Sequence, residues 1–279
     1  MRKLEVSSII SKIETMCIEA NYNASSSLMK TLRQAQENES SSLGQTILGQ
    51  IIKNDEIART SQVPMCQDTG IVVVFVEIGS DIQLIGNLEE AIHEGIRRGY
   101  QNGYLRKSVV AHPLNRVNTK DNTPAIIHYH WVEGDQLKIT IAPKGAGSEN
   151  VSAVGMLKPS DGYEGVKQFV LDTILKAGGN PCPPIIVGVG VGGNFEKCAL
   201  LSKQALMRSI EDTSNDEICA RLEKELFVEI NDLNIGPMGF GGSTTALAVK
   251  VNAYPCHIAS LPVAVNIQCH ASRHITEIF

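Results

Sequence analysis

No run of ~18 apolar residues occurs anywhere in this chain of 279 residues, so nothing in it offers a membrane span. The N-terminal Met1-Arg2-Lys3-Leu4-Glu5 has a basic pair but no apolar signal core, which argues against a secretory peptide and makes a cytoplasmic location the expectation. There is also no block of Lys and Arg. With 25 basic against 30 acidic residues, a net charge of −5, general nucleic-acid binding is not expected. An anionic substrate would therefore need locally placed Arg or Lys against an unfavourable overall field. The seven cysteines (Cys17, Cys66, Cys182, Cys198, Cys219, Cys256 and Cys269) include no Cys-x-x-Cys pair, so a zinc finger or ribbon has little support. Their odd number in a chain of cytosolic character disfavours structural disulfides and leaves metal binding, catalysis or burial. Internal repeats and linkers are also missing. A composition of 43% hydrophobic and 20% charged residues is that of an ordinary globular protein, and one α/β domain over 1–279 is the simplest account.

The first sixty residues pattern as helices. Residues 4–22 carry Ile9, Ile10, Ile13, Met16 and Cys17 at helical spacing, with Cys17 as a small core hydrophobe on the apolar face. Asn23 is the expected cap of a second helix through Gln36, and Ser42 of a third containing Leu43, Ile47, Leu48, Ile51 and Ile52. Beyond them, 71–79, 126–132, 137–142, 185–191, 246–254 and 261–267 pattern as strands. Residues 88–99, 162–177, 194–207 and 216–231 pattern as helices. A hairpin of 126–132 with 137–142 is expected across Glu133-Gly134-Asp135.

The most informative stretch is Pro64-Met65-Cys66-Gln67-Asp68-Thr69-Gly70, a rigid turn feeding the apolar run that starts at Ile71. A thiolate ligand, an amide and a carboxylate stand in consecutive positions, a combination that suits a metal centre with an acid/base beside it. The bland alternative is a buried Cys next to a turn-forming Asp. Cys182 also sits in a Pro-rich turn at a strand start, and Cys269 follows the last apolar strand. Backbone amides at such turns donate to thiolates and lower their pKa. Cys198 and Cys219 fall inside helical patterns, whereas Cys256 competes for the third place in a three-thiolate set. Three thiolates and no fourth would leave one iron of a cluster without a protein ligand, and that iron is a Lewis acid.

Gly188-Val189-Gly190-Val191-Gly192-Gly193 satisfies G-x-G-x-x-G between a strand and a helix, which makes a dinucleotide site a rival reading. The following Arg208-Ser209-Ile210-Glu211-Asp212-Thr213 is too polar for the second strand that such a site needs. His128 and His130 share one strand face but have no acidic or Cys partner nearby. Cys256-His257 and Cys269-His270 each put a base beside a thiol, which a Cys–His hydrolase would also need to pair in space.

PMCQDTG at 64–70, KGAGSEN at 144–150, NPCPP at 180–184 and CHIASLPVAVNIQC at 256–269, in this order, resemble the iron–sulfur-dependent class I fumarate hydratases, and the related tartrate dehydratases share much of the pattern. The resemblance covers essentially the whole chain. It implies the α subunit of a two-subunit enzyme, equivalent to the N-terminal domain of fused forms: an α/β fold with mixed β-sheets surrounded by helices and a helical N-terminal region. It also implies that Cys66, Cys182 and Cys269 hold a [4Fe-4S] cluster and that Cys256 lies outside the ligand set. Asp68 matches the family's active-site aspartate and His257 an active-site histidine. Gln67 matches a substrate-contacting amide, and Arg106 an arginine that grips a substrate carboxylate. Gly145, Ala146 and Gly147 match a segment whose backbone approaches substrate, with Ala146 replacing a glycine of some members.

The implied reaction is the interconversion of fumarate and (S)-malate. The KGAGSEN turn favours it over an L-tartrate dehydratase type, and a non-catalytic iron–sulfur scaffold is the alternative from another class. The implied partners are a β subunit carrying the smaller swivelling domain, with further cationic substrate contacts and a threonine base, and a second α subunit.

Overall fold

The computed structural model describes residues 1–279. In chain order the elements are β1 (Arg2–Glu5), a 3-10 turn (Val6–Ile9), α1 (Ile10–Tyr22), α2 (Ser26–Asn38), α3 (Ser42–Ser61), β2 (Ile71–Gly79), β3 (Ile82–Ile85), α4 (Leu88–Asn102), β4 (Ile126–Val132), β5 (Leu137–Lys144), α5 (Ala146–Glu149), β6 (Ala153–Leu157), α6 (Gly162–Ala177), β7 (Ile185–Gly192), α7 (Phe195–Ala205), α8 (Glu217–Asp232), β8 (Ala246–Tyr254), β9 (Leu261–Gln268) and β10 (Ile275–Ile278). This is the expected α/β fold of mixed sheets and helices. Two compact units are interleaved in the chain: one comprises Met1–Ala24, Asn54–Ala146 and Arg273–Phe279, the other Ser25–Lys53 and Gly147–Ser272. No single cut in the sequence separates them, which is why no linker is visible in it.

The first unit is built on a four-stranded sheet in the order β10-β5-β2-β4, with β1 and β3 paired separately in parallel. The run Ile71-Val72-Val73-Val74-Phe75-Val76 makes β2 an inner strand beside β5, and its Val72, Val74 and Val76 pack with Ile139 and Ile141 of β5. Ile13, Met16 and Cys17 of α1 and Ile92, Ile96 and Tyr100 of α4 complete that core. Removing this much apolar surface from water is the main stabilising term, at ~25 cal/mol per Å² buried. The expected hairpin of β4 with β5 does not form, because β2 lies between them, parallel to β4 and antiparallel to β5. β2, with its long apolar run, takes one of the two inner positions beside β5, and β4, largely exposed, takes the edge. The first helix starts at Ile10 rather than Leu4, since Arg2–Glu5 is drawn into pairing with β3.

The second unit carries a four-stranded sheet in the order β6-β9-β7-β8. Its core joins Val166, Val170 and Ile174 of α6 and Leu222, Leu226 and Ile230 of α8 to the valines of β7, β8 and β9. Ser25, not Asn23, caps α2, its hydroxyl accepting the Leu28 N–H at 3.2 Å. Asn194 and Asp216, where the helical patterns 194–207 and 216–231 begin, are the N-caps of α7 and α8, accepting the Lys197 and Cys219 N–H groups. The G-x-G-x-x-G glycines have a packing role: a Cβ on Gly188 would stand 2.1 Å from Ser202 O and one on Gly190 2.1 Å from Cys198 O. They let α7 lie directly on β7, and no Rossmann strand order accompanies them.

Candidate active site

The turn 64–70 joins α3 to β2, and side chains from separate segments hold its carbonyls. Asn54 Nδ2 donates to Met65 O at 2.8 Å, Arg273 Nη1 to Asp68 O at 2.8 Å, Tyr100 Oη to Thr69 O at 2.6 Å and Asn122 Nδ2 to Gly70 O at 3.1 Å. Burial pushes the Tyr100 phenol well above its ordinary value, so it remains a donor. The N–H groups are also directed: Met65 donates to Asn21 O at 3.0 Å, and Gly70 to Asp68 Oδ1 at 3.0 Å. The N–H of Asp68 itself points at Cys66 Sγ, 3.4 Å away. One short turn therefore presents a half-buried thiol that accepts a backbone N–H and a carboxylate fixed at both oxygens. The second oxygen, Asp68 Oδ2, accepts the Ala146 N–H at 2.8 Å. Gly145 leaves room here, because a Cβ at that position would stand 3.0 Å from Asp68 Oδ2, a tight contact that would push on the carboxylate, and 3.5 Å from Arg273 Nη2.

Cys182 and Cys269 belong to the second unit. Cys182 precedes β7, Cys269 follows β9, and the antiparallel register sets Ile186 opposite Gln268. The two thiol residues therefore come to the same end of the sheet, where His270 N–H reaches Cys182 O at 3.5 Å. Cys182 has φ +55°, a left-handed conformation that costs a non-glycine residue ~1 kcal/mol or more and recurs at functional sites. Met238 N–H holds the turn through Pro183 O at 2.8 Å. On the neighbouring segment, Glu149 accepts Lys203 Nζ at 2.6 Å and Asn266 Nδ2 at 3.0 Å. The KGAGSEN segment is thus tied to β9, which belongs to the 256–269 motif. A Cβ on Gly147 would stand 3.7 Å from Asn180 O, an ordinary contact.

The remaining predicted residues are more open. Gln67 and Arg106 are exposed. The Arg106 carbonyl accepts Thr69 Oγ1 at 2.9 Å, which fixes its backbone to the 64–70 turn. His257 is exposed in the loop between β8 and β9, its Nδ1 accepting the Ala259 N–H at 3.1 Å, beside Ile258 at 92% exposure. That loop stands at the Val191 and Gly192 end of β7, opposite the end that carries Cys182 and Cys269. A strand of this length spans ~25 Å, so a single copy of the chain does not bring His257 to those cysteines.

The other thiols separate by environment. Cys17, Cys198 and Cys219 are buried, and desolvation raises all three, Cys219 to about 12. They are inert core groups. Cys256 is exposed in the His257 loop. His128 stacks on Phe75 at 5.3 Å and His130 is exposed, which gives them no ligand set. No group of three or more His, Cys, Asp or Glu side chains surrounds a position for a single metal ion.

Arg273, Asn21, Tyr100 and Asn122 were not legible as site residues in the sequence. They stand outside the four motifs, and only the proximity of Arg273 to the end of the last motif hints at its place.

The chain thus carries a Cys–Asp turn clamped through its backbone in one unit and a pair of half-buried thiols in the other, both on an α/β frame. Compared with protein-family models, residues 10–277 match the family described as "Fumarate hydratase (Fumerase)", and the chain belongs to that family of hydro-lyases. Among individual proteins it is similar to one of Methanocaldococcus jannaschii named provisionally as L(+)-tartrate dehydratase subunit alpha, with 48% identity over 87% of each chain. It is also similar to the L(+)-tartrate dehydratase subunit alpha of Escherichia coli K12 and of Shigella sonnei. Each is 33% identical over 88% of this chain and 82% of the relative.

Proposed function

We propose that this chain is the α subunit of a [4Fe-4S]-dependent hydro-lyase for a four-carbon dicarboxylate, with fumarate and (S)-malate as the substrate pair. The observation that carries the reading is the 64–70 turn, in which Cys66 Sγ accepts the N–H of Asp68 while both Asp68 carboxylate oxygens are fixed by backbone N–H groups. The donor chemistry fits the cluster: Cys66, Cys182 and Cys269 are the half-buried thiols, each in a turn, whereas the buried thiols are held protonated. When bound through three thiolates, such a cluster supplies an iron free to act as a Lewis acid toward a hydroxyl and a carboxylate.

The chain's own residues have the other roles. Asp68, oriented by Gly70 and Ala146, transfers the proton at the carbon next to the carboxylate. Arg106 presents its guanidinium fork to a substrate carboxylate, and its anchorage through Thr69 supports that role. Gln67 and the Gly145, Ala146 and Gly147 backbone add hydrogen bonds to substrate. His257 takes part only in an α dimer, where a second copy brings its exposed loop to the site. A β subunit completes the enzyme, as the relatives' designation as alpha subunits supports. The same names favour L-tartrate as the second reading.

The test is anaerobic reconstitution of the chain with and without its candidate β partner. Iron and sulfide are measured, and fumarate hydration is compared with L-tartrate dehydration. A well-folded protein that takes up neither iron nor sulfide would sink the cluster assignment. Full activity from this chain alone would overturn the two-subunit reading, and a larger kcat/KM for tartrate would select the second substrate. Cluster uptake without turnover on any dicarboxylate would leave a scaffold.

A further inference from the structure

We propose that Arg273 is a positioning residue for Asp68, bracing the turn that carries the carboxylate from inside the first unit. The proposal rests on the assignment of proton transfer to Asp68. Arg273 is 4% exposed, and its Nη1 is shared between Asp68 O at 2.8 Å and Asn21 Oδ1 at 2.9 Å. Neither acceptor is a carboxylate, and its Nε is buried with no hydrogen-bond partner. An arginine is an expensive donor for this purpose. Taking a guanidinium out of water and leaving a donor unsatisfied are both destabilising, and the other carbonyls of the turn are served by neutral Asn54, Tyr100 and Asn122. What distinguishes Arg273 is its charge and its two-pronged reach. Nη1 connects the Asp68 main chain to α1, and Nη2 faces the point beside Gly145 where Asp68 Oδ2 also stands.

Asn21 closes the brace. It is fully buried, its main-chain carbonyl accepts the Met65 N–H at 3.0 Å, and its Nδ2 donates to Cys17 O at 2.9 Å. A displacement of Arg273 therefore moves Asp68 relative to α1 and to the Ala146 N–H that orients its carboxylate. Misplacing a reacting group by about 1 Å costs ~100-fold in rate. Such a loss falls on kcat rather than on KM.

The experiment uses the α–β enzyme with its cluster reconstituted and compares Arg273→Gln, Arg273→Lys and Asp68→Asn, with turnover normalised to iron and sulfide content. Arg273→Gln is expected to lower kcat ~100-fold with KM changed less than about threefold. It should also speed amide hydrogen exchange in the 64–70 and 144–150 segments, leaving α6 unchanged. Arg273→Lys, which retains the charge but not the fork, should recover about tenfold of that loss. Normal kcat per cluster-loaded enzyme in Arg273→Gln overturns the proposal, as does unchanged exchange in both segments. If Arg273→Gln does not fold, Arg273→Lys decides: wild-type kcat overturns the proposal, and a loss at unchanged KM supports it. Asp68→Asn separates the two claims, since full turnover in that variant refutes the role of Asp68 whatever the arginine variants do.

Discussion

Glu39 gives a quantitative handle on how the second unit holds the Cys182 turn. Its residue is 2% exposed. Its carboxylate accepts the backbone N–H groups of Ser41 at 2.9 Å, Ser243 at 2.8 Å and Thr244 at 2.7 Å. Ser243 and Thr244 close the glycine-rich loop from Gly236, and Met238 of that loop holds Pro183 O beside Cys182. Burial by itself would raise the Glu39 pKa, but the three amides together with the Thr244 side chain outweigh it and hold the group at about 2 instead of 4.5. At ~1.4 kcal/mol per unit, this depression corresponds to roughly 3 kcal/mol of stability. Because the folded-state pKa is the lower one, that stability is complete above the unfolded value of 4.5 and is lost as pH falls toward 2. In Glu39→Gln the amide accepts through one oxygen only and sets its own N–H donors against the three backbone donors. A destabilisation of about 2–3 kcal/mol at pH 7 is expected. Denaturant unfolding of both proteins should show that gap at pH 7 and its progressive closure between pH 4.5 and 2. A gap below about 0.5 kcal/mol at pH 7, or one that stays constant down to pH 3, would refute the reasoning.

Other outcomes follow from the same geometry. Cys182→Ser and Cys269→Ser should each abolish stable iron and sulfide binding, whereas Cys198→Ser should leave both intact; the opposite pattern would relocate the ligands. Gly190→Ala forces a methyl group against Cys198 O and should cost about 2 kcal/mol or more in unfolding free energy. Measured nucleotide binding by the wild-type chain would instead revive the dinucleotide reading of these glycines. Co-assembly of Asp68→Asn with His257→Asn α chains should restore about a quarter of wild-type turnover in a statistical mixture of dimers. Only the mixed dimer then contains one intact site, and no recovery would remove His257 from the site of the second copy.

Most of the fold was legible because its elements are strongly patterned. Helix α6 and strands β2 and β8 follow the expected bounds, since long apolar periodicity and flanking glycines or caps agree there. The short strands β1, β3, β6 and β10 were not legible. Each is four or five residues long and stands at an edge or in a two-stranded pair, where partners rather than local pattern decide the conformation. The β4–β5 hairpin failed for a related reason: sequence proximity favours pairing neighbours, but the apolar demand of β2 for two partners is larger.

At the site, the motifs mark turns that present chemistry, and the residues bracing those turns are scattered through the chain. Asn21, Tyr100, Asn122 and Arg273 each supply one hydrogen-bonding group to the 64–70 turn or its brace from a different segment. Glu39 does the same for the Gly236 loop. A single buried polar residue in a helix or loop has no spacing signature, because its partner is fixed by tertiary structure. Its position becomes visible only when the backbone groups it satisfies are known. The motifs also mix the two roles: Glu149 lies inside KGAGSEN yet its carboxylate binds Lys203 and Asn266, a tie that holds the segment to β9. Resemblance across a motif therefore marks a segment, and the hydrogen-bond partners of each side chain decide which of its residues face the chemistry and which hold the turn in place.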